Sequence, residues 1–273
     1  MTTVGPDINI TRTYNSKSQT SNRHFGTGWT FGYEGSVETD SSNSLRQIVT
    51  LPGGQVETFI SNGEYGVYIS DYSSGSRNTL SKSDRIFKLT TKDQTVYEFN
   101  SKGWLASIKD RNGNYITIVT DDLGKVQTIT DQTGRKFTVT YGTKYIEKIT
   151  DNTSGRVVTY QYNSSNLLYK VIDPMSNTVY TYEYDANGFL TSIKDADLKE
   201  IEKLVYDHTA GDKKDKVTKH TIYTTDTVYN TYTYDYYVNG RFTYITDLEG
   251  KKTAKWYDEQ YNIVSSVDPE GKT

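Results

Sequence analysis

From about residue 99 onward, apolar and polar positions alternate in short runs that stop at clusters of Asp, Asn and Gly. Thr159-Tyr160-Gln161-Tyr162-Asn163, Thr181-Tyr182-Glu183-Tyr184-Asp185 and Thr231-Tyr232-Thr233-Tyr234-Asp235 have a period of two. That period puts both Tyr of a pair on one face of a strand and the Thr, Gln or Glu on the other. A turn follows each run, clearest in Asp185-Ala186-Asn187-Gly188, and a return segment follows the turn. The return segments carry apolar residues three apart: Leu105/Ile108, Val126/Ile129, Ile146/Ile149, Leu168/Val171, Leu190/Ile193 and Phe242/Ile245. A spacing of three is out of phase with a flat strand. A helix is the poorer account, because each segment is short, β-branched and bracketed by turn residues. The pattern predicts a strand with a bulge or strong local twist, or one covered on both faces.

The pattern repeats. An Asp with an aliphatic residue two positions before it stands at Asp110, Asp131, Asp151, Asp173, Asp195 and Asp247, with weaker copies ending at Asp226 and Asp268. Successive copies are 20 to 22 residues apart, except for one interval of 31. The extra residues fall near 207–216, in the polar stretch His208-Thr209-Ala210-Gly211-Asp212-Lys213-Lys214, which reads as a lengthened hairpin tip. Gly follows three or four residues after several of these Asp (Gly113, Gly134, Gly155, Gly250, Gly271), as expected where Asp bonds the backbone ahead and Gly takes positive φ. Each unit is thus one β-hairpin. A lone hairpin is not stable in water, so successive units must pair edge to edge into a continuous curved sheet. The first 98 residues contain turn clusters at Leu51-Pro52-Gly53-Gly54, Ser61-Asn62-Gly63 and Ser74-Gly75-Ser76 between short alternating runs, and read as hairpins of irregular length. The predicted fold is all-β, with an irregular region over 1–98 and repeats over 99–273.

Composition sharpens this picture. Only 34% of the 273 residues are apolar, against an ordinary ~45–50%. A net charge of −3 and 25 Tyr argue against disorder and for pleated, half-buried surfaces. No apolar run is long enough for a membrane-spanning helix. The opening Met1-Thr2-Thr3-Val4-Gly5-Pro6 lacks a basic start and an apolar stretch, so either the protein is cytoplasmic as written or a leader lies outside this chain. With 31 basic and 34 acidic residues, nothing draws the whole molecule to nucleic acid or anionic lipid. The absence of Cys excludes disulfides, thiolate metal sites and thiol nucleophiles.

The segment Tyr184-Asp185-Ala186-Asn187-Gly188-Phe189-Leu190-Thr191-Ser192-Ile193-Lys194-Asp195 resembles the YD repeat of the Rhs family. Tyr162-Asn163, Tyr206-Asp207, Tyr234-Asp235 and Tyr257-Asp258 stand at the other pair positions. That family includes bacterial Rhs toxins, Gram-positive wall-associated proteins, shell components of insecticidal toxin complexes and teneurins. Thr11-Arg12-Thr13-Tyr14-Asn15-Ser16 and Phe25-Gly26-Thr27-Gly28-Trp29 resemble the segment that opens Rhs repeat regions. The resemblance implies a non-catalytic structural segment, cut from a longer chain, of a shell of β-hairpins that encloses a polypeptide toxin or effector and helps deliver it. It also implies a secreted or wall-associated location. The expected partners are the rest of the parent chain and an enclosed toxin domain. The chain ends at Asp268-Pro269-Glu270-Gly271-Lys272-Thr273, the opening of another repeat, and carries no toxin or self-cleavage element of that family.

Candidate chemistry is thin. His24, His208 and His220 are scattered without metal-ligand spacing and read as solvated or turn residues. No calcium loop of EF-hand type is present, and an Asp recurring in every unit serves the turn, whereas catalysis requires one site unlike its neighbours. Gly26-Thr27-Gly28 is no phosphate loop, since no Lys-Ser/Thr follows. No cofactor, metal or enzymatic activity is expected. The Tyr rows are the other candidate: Tyr160, Tyr182 and Tyr232 could stack cell-wall or host glycans, which makes a carbohydrate-binding adhesion module the alternative to a shell. The competing account is that these rings pack across strands and fill positions that Leu would hold in a drier core.

Overall fold

The computed structural model describes residues 8–18, 24–71, 76–211, 213–225, 227–258 and 262–272. The opening segment, the turn at Ser74-Gly75, the weak repeat copy at Asp226, Asp212 of the insertion and the terminal Thr273 lie outside the described residues. Apart from one 3-10 turn at Ser16–Ser18, every regular element among the described residues is a β-strand, from Arg12–Tyr14 to Ile263–Val267. Among the described residues no helix is long and apolar enough to cross a membrane. The fold is all-β and built of successive antiparallel hairpins.

The chain divides into two units. One comprises Met1–Tyr14, Asn22–Phe25 and Trp29–Val157; the other comprises Asn15–Ser21, Gly26–Gly28 and Val158–Thr273. In the first, Arg12–Tyr14 pairs with Trp29–Phe31 as a separate ribbon. The strands from Ser36–Thr39 to Ile146–Asp151 then pair each with the next. Its sheet folds back on itself, because Ser36 bridges Trp104 while Val37 N donates to Gly103 O and Leu105 N to Gly35 O. Phe25, Phe31, Phe59, Phe99, Leu89 and Leu105 are buried there. In the second unit the strands from Thr178–Tyr184 to Ile263–Val267 form the same meander.

The apolar spacing of three has a single cause. Along Thr178–Tyr184 and Leu190–Lys194 the partners are Tyr182↔Ile193 and Glu183↔Ser192, and then Tyr184↔Leu190. Thr191 is an extra residue in the return strand, a β-bulge that returns Leu190 to the face of Ile193 and of both Tyr. The same shift precedes Tyr141↔Ile146, Tyr162↔Leu168, Tyr206↔Val217 and Tyr257↔Ile263. As a result Ile146/Ile149 and Leu168/Val171 are both buried pairs. Phe242/Ile245 departs from the expectation: its hairpin runs from Thr233↔Thr246 to Tyr237↔Phe242 with no shift, so the two residues point to opposite faces.

The buried residues change character along the chain. Up to Leu190 many are aliphatic or aromatic; beyond residue 200 the buried side chains among the described residues are Thr221, Thr231, Thr243, Ala254 and Asp258. Thr221 and Thr231 meet hydroxyl to hydroxyl at 3.1 Å, which satisfies polar atoms that a drier core would exclude.

Many of the turns share one backbone form, and the Asp151 turn is one residue longer, with Asp151 N donating to Arg156 O. Asp185 N donates to Phe189 O at 2.9 Å and Gly188 N to Asp185 O at 3.1 Å, which leaves the fourth residue at positive φ. Leu198 holds that position at φ 62°, where a side chain is strained. Gly103, at φ +83°, has a second constraint, since a Cβ there would lie 2.3 Å from the Val37 carbonyl oxygen. Leu198→Gly is expected to raise stability by about 0.5–1 kcal/mol, and Gly103→Ala to lower it by about 2–4 kcal/mol. Urea unfolding followed by circular dichroism measures both, and equal midpoints for the two variants would contradict this account of the turns.

Candidate functional site

The recurring Asp residues build their own turns. Asp195 Oδ1 accepts the amides of Asp197 and Lys199, both at 2.9 Å. Asp173 does the same with Met175 and Asn177 at 2.8 Å, and Asp110 with Asn112 and Asn114 at 2.8 and 2.9 Å. Asp131 takes Thr133 and Arg135, and Asp247 takes Glu249 and Lys251. Where the fourth residue onward is Asn, its side-chain amide occupies the second oxygen, as with Asn114 on Asp110 at 2.8 Å. That amide holds the Asp110 carboxyl below the usual carboxylate range, and the Asn177 backbone amide does so for Asp173. Asp151 carries the guanidinium of Arg135 at 2.8 Å and is held lower still by it.

Two Tyr hydroxyls reach backward. Tyr184 OH donates to Leu168 O at 2.7 Å, and Leu168 belongs to the preceding hairpin, opposite Tyr162. Tyr236 OH donates to Val217 O at 2.6 Å in the same manner. Asp185, Asp207 and Asp258 each follow a Tyr in the chain and bond forward: Asp185 to Asn187 and Phe189, Asp207 to Thr209, Asp258 to Asn262. Tyr234-Asp235 is placed differently. It lies inside the strand Tyr229–Tyr237, with Asp235 opposite Tyr244 and 3.0 Å from the Lys213 ammonium, because the strand runs on before it turns. Tyr236 takes the hydroxyl contact there, and Tyr234 matches Tyr182, each opposite an Ile.

Of the proposed glycan contacts, Tyr160 and Tyr182 are 2% and 3% exposed. Their rings pack within the sheet and offer no face to a sugar. Tyr232 is half-buried.

His24 and His220 are not solvated turn residues, whereas His208 is exposed at the lengthened hairpin tip. His24 is buried, with Nδ1 2.9 Å from Glu34 Oε2, Nε2 accepting the Val126 amide at 3.2 Å and its carbonyl accepting the Ile146 amide at 2.8 Å. It docks the N-terminal segment onto two strands more than a hundred residues away. His208 stands between two carboxylates, Nδ1 2.9 Å from Asp215 and Nε2 2.8 Å from Asp185, and so ties the lengthened hairpin tip to the preceding turn. His220 Nε2 meets Glu202 Oε1 at 2.6 Å across strands.

Two carboxylates share one cavity of about 400 Å³ in the first unit, Glu57 and Asp93. Buried Glu57 accepts from Gln55 Nε2, Ser76 Oγ and twice from Asn78 Nδ2, at 2.8–3.0 Å. The Thr91 hydroxyl holds Asp93 below the usual range. Neither group is arranged as a proton donor, and both are engaged by their own turns and neighbours. Among the described residues no cluster of three His, Cys, Asp or Glu could hold a metal ion.

Residues 85–211 match a family model described as the teneurin YD-shell, and residues 3–59 match a domain of unknown function, DUF6531. Over residues 85–211 the repeats are similar to those of that shell family. No curated protein matches the chain. Solved structures that resemble it include those titled "Crystal Structure of TcdB2-TccC3-Cdc42" and "Crystal Structure of TcdB2-TccC3 without hypervariable C-terminal region". Each is 14% identical with a TM-score of 0.37, over 86% and 88% of this chain. A third, "Crystal Structure of TcdB2-TccC3", is 13% identical over 93% of this chain with a TM-score of 0.36. This chain spans 15% of the length of each.

Two YD-type turns escaped the periodicity, Asn100 to Gly103 and Asp121 to Gly124, although each shows the Asn/Asp-x-x-Gly spelling. His24 and Glu57 have no such signal, since their partners are distant or neutral. In the turns, Asp195→Asn retains an acceptor oxygen whereas Asp195→Ala abandons two amides. The Ala variant is expected to lose about 1–2 kcal/mol and the Asn variant less than half of that, by urea unfolding. Asp215 first, and then Asp185, push the His208 pKa above its ordinary 6.5. The clamp therefore stabilises fully below pH 6.5 and is lost as pH rises through the folded-state value. An NMR titration should place the His208 midpoint above 6.5 and Asp215→Asn should lower it; a midpoint unmoved by that substitution would contradict the clamp.

Proposed function

We propose that this chain is a non-catalytic structural segment of an Rhs/YD-repeat shell that encloses a polypeptide toxin or effector and helps deliver it from a secreted or wall-associated parent protein. The observation that carries this reading is the succession of hairpins, each paired with the next, over the residues that match the shell family. In such a wall every strand edge but the last is covered by a neighbour, so the sheet extends without a deep core behind it. Thr and Tyr on the inward faces fit this role, because they pack and also tolerate a half-wet surface. Rows of turn-forming Asp explain the recurring carboxylates without assigning them a reaction. The division into an irregular region over 1–98 and repeats over 99–273 belongs to the same proposal, with the first region opening the shell.

The function is steric. A guest inside the shell is kept from proteases and from its own targets until release. Limited proteolysis of the full-length parent protein tests this. Chain outside residues 1–273 that forms the cargo should survive protease concentrations that degrade the same segment expressed alone, and cleavage at equal rates in the two settings would defeat the proposal.

A further inference from the structure

Four Asn-Gly pairs stand in the chain, beginning at Asn62, Asn112, Asn187 and Asn239. Asn-Gly is the dipeptide in which a backbone amide most easily reaches the side-chain carbon of the residue before it, because Gly puts no side chain in the way. In two of the pairs the Gly amide closes the turn: Gly113 N donates to Asp110 O and Gly188 N to Asp185 O, both at 3.1 Å. At the first pair Gly63 N donates to Ser61 Oγ at 3.3 Å, and Asn62 Oδ1 accepts the Glu64 amide at 2.9 Å. These three glycines have φ between 83° and 94°.

The fourth pair is placed differently, because the hairpin of Tyr229–Tyr237 and Phe242–Thr246 runs to its end without a register shift. Its turn is closed by Arg241 N, which donates to Val238 O at 3.1 Å, and Arg241 also takes the positive φ, at 49°. Asn239 and Gly240 are therefore the two central residues of the turn, one position earlier than the pairs at Asn112 and Asn187. The closing bond of a turn joins its first and fourth residues and leaves the central amides out. Among the described residues the Gly240 amide has no acceptor. The tip from Val238 to Arg241 is exposed.

We propose that Asn239 is a site of spontaneous covalent modification, losing its side-chain amide through a succinimide. Gly240 N gives its proton to solvent base and attacks Asn239 Cγ. A C–N bond forms, the Cγ–Nδ2 bond breaks, and the nitrogen leaves as ammonia after taking a proton from solvent. Water then adds to one of the two ring carbonyls and breaks its bond to the ring nitrogen. Opening at the side-chain carbonyl gives Asp; opening at the backbone carbonyl gives isoaspartate, in which the main chain runs through the former side chain. The sum is Asn plus water giving acid plus ammonia, with no change of oxidation state. At Asn112 and Asn187 the Gly amide must first surrender its bond to the Asp carbonyl, which slows the same attack. Either product puts a carboxylate next to Arg241 in the chain. Isoaspartate also lengthens by one methylene the tip that joins the stacked rings of Tyr237 and Phe242.

Incubation of the whole chain in mildly alkaline buffer, followed at intervals by peptide mass spectrometry, tests this. Asn239 should gain the mass difference between an amide and an acid, partly as isoaspartate, at least about threefold faster than any of the other three, the rate equivalent of one ordinary amide hydrogen bond. In urea, where the turns are lost, that lead should disappear. Asn239→Gln should abolish the product at this position and leave the circular dichroism spectrum and the other three rates unchanged. Reaction at Asn112 or Asn187 as fast as at Asn239 in the folded chain overturns the proposal. So does a lead of Asn239 that persists undiminished in urea, which would trace it to neighbouring sequence instead of the turn.

Discussion

One carboxylate oxygen that accepts two backbone amides sets the reversal of the repeat hairpins. When Asp195 Oδ1 holds the amides of Asp197 and Lys199, the turn length is fixed, and with it the pairing of the strands on either side. A fixed pairing decides which side chains share a face. The bulge that follows the other turn, as after Asp185–Gly188, then shifts the return strand by one residue, so that aliphatic residues three apart meet the Tyr row on one side of the sheet. In two units a Tyr hydroxyl adds a bond to a carbonyl of the hairpin before, Tyr184 to Leu168 and Tyr236 to Val217. Strand pairing, with these bonds where they occur, ties a hairpin to its predecessor in a sheet that grows by addition.

That mode of growth accounts for the poverty of apolar residues. A sheet whose strands are all flanked by neighbours satisfies its backbone without a thick core, and its buried face needs only to fit. In the first unit Phe25, Phe31, Phe59 and Phe99 are buried; late in the second unit the buried residues include Thr221 and Thr231, which bond to each other, and Thr243. Repetition of one turn and one strand pairing leaves the recurring Asp residues with the same local partners in successive units. Where one unit departs from the rest, Phe242 stacks on the exposed ring of Tyr237.

Much of this was legible along the chain. Local turn chemistry is written in consecutive residues, so the Asp turns and the alternation of Tyr and Thr could be read directly, while the spacing of three left a bulge, a strong twist or a doubly covered strand as equal readings until the register was known. The reading failed where partners are far apart or where one residue more or less changes the outcome. His24 looked solvated because Glu34, Val126 and Ile146 converge on it only after the N-terminal segment docks. Tyr234-Asp235 looked like a repeat pair because its spelling is right, yet the strand continues two residues further before reversing.

By itself, then, the amino-acid order determined the class of fold, the hairpin period and the positions of most reversals, because these depend on contacts within about ten residues. Tertiary structure alone decided which Tyr rings are buried, as with Tyr160 and Tyr182, and which remain at a surface, as with Tyr237. It also decided that His208 would lie between Asp185 and Asp215. The physical reason is register. Pairing between hairpins is set by the sum of many weak backbone and packing terms across the sheet, and no local pattern of residues carries that sum.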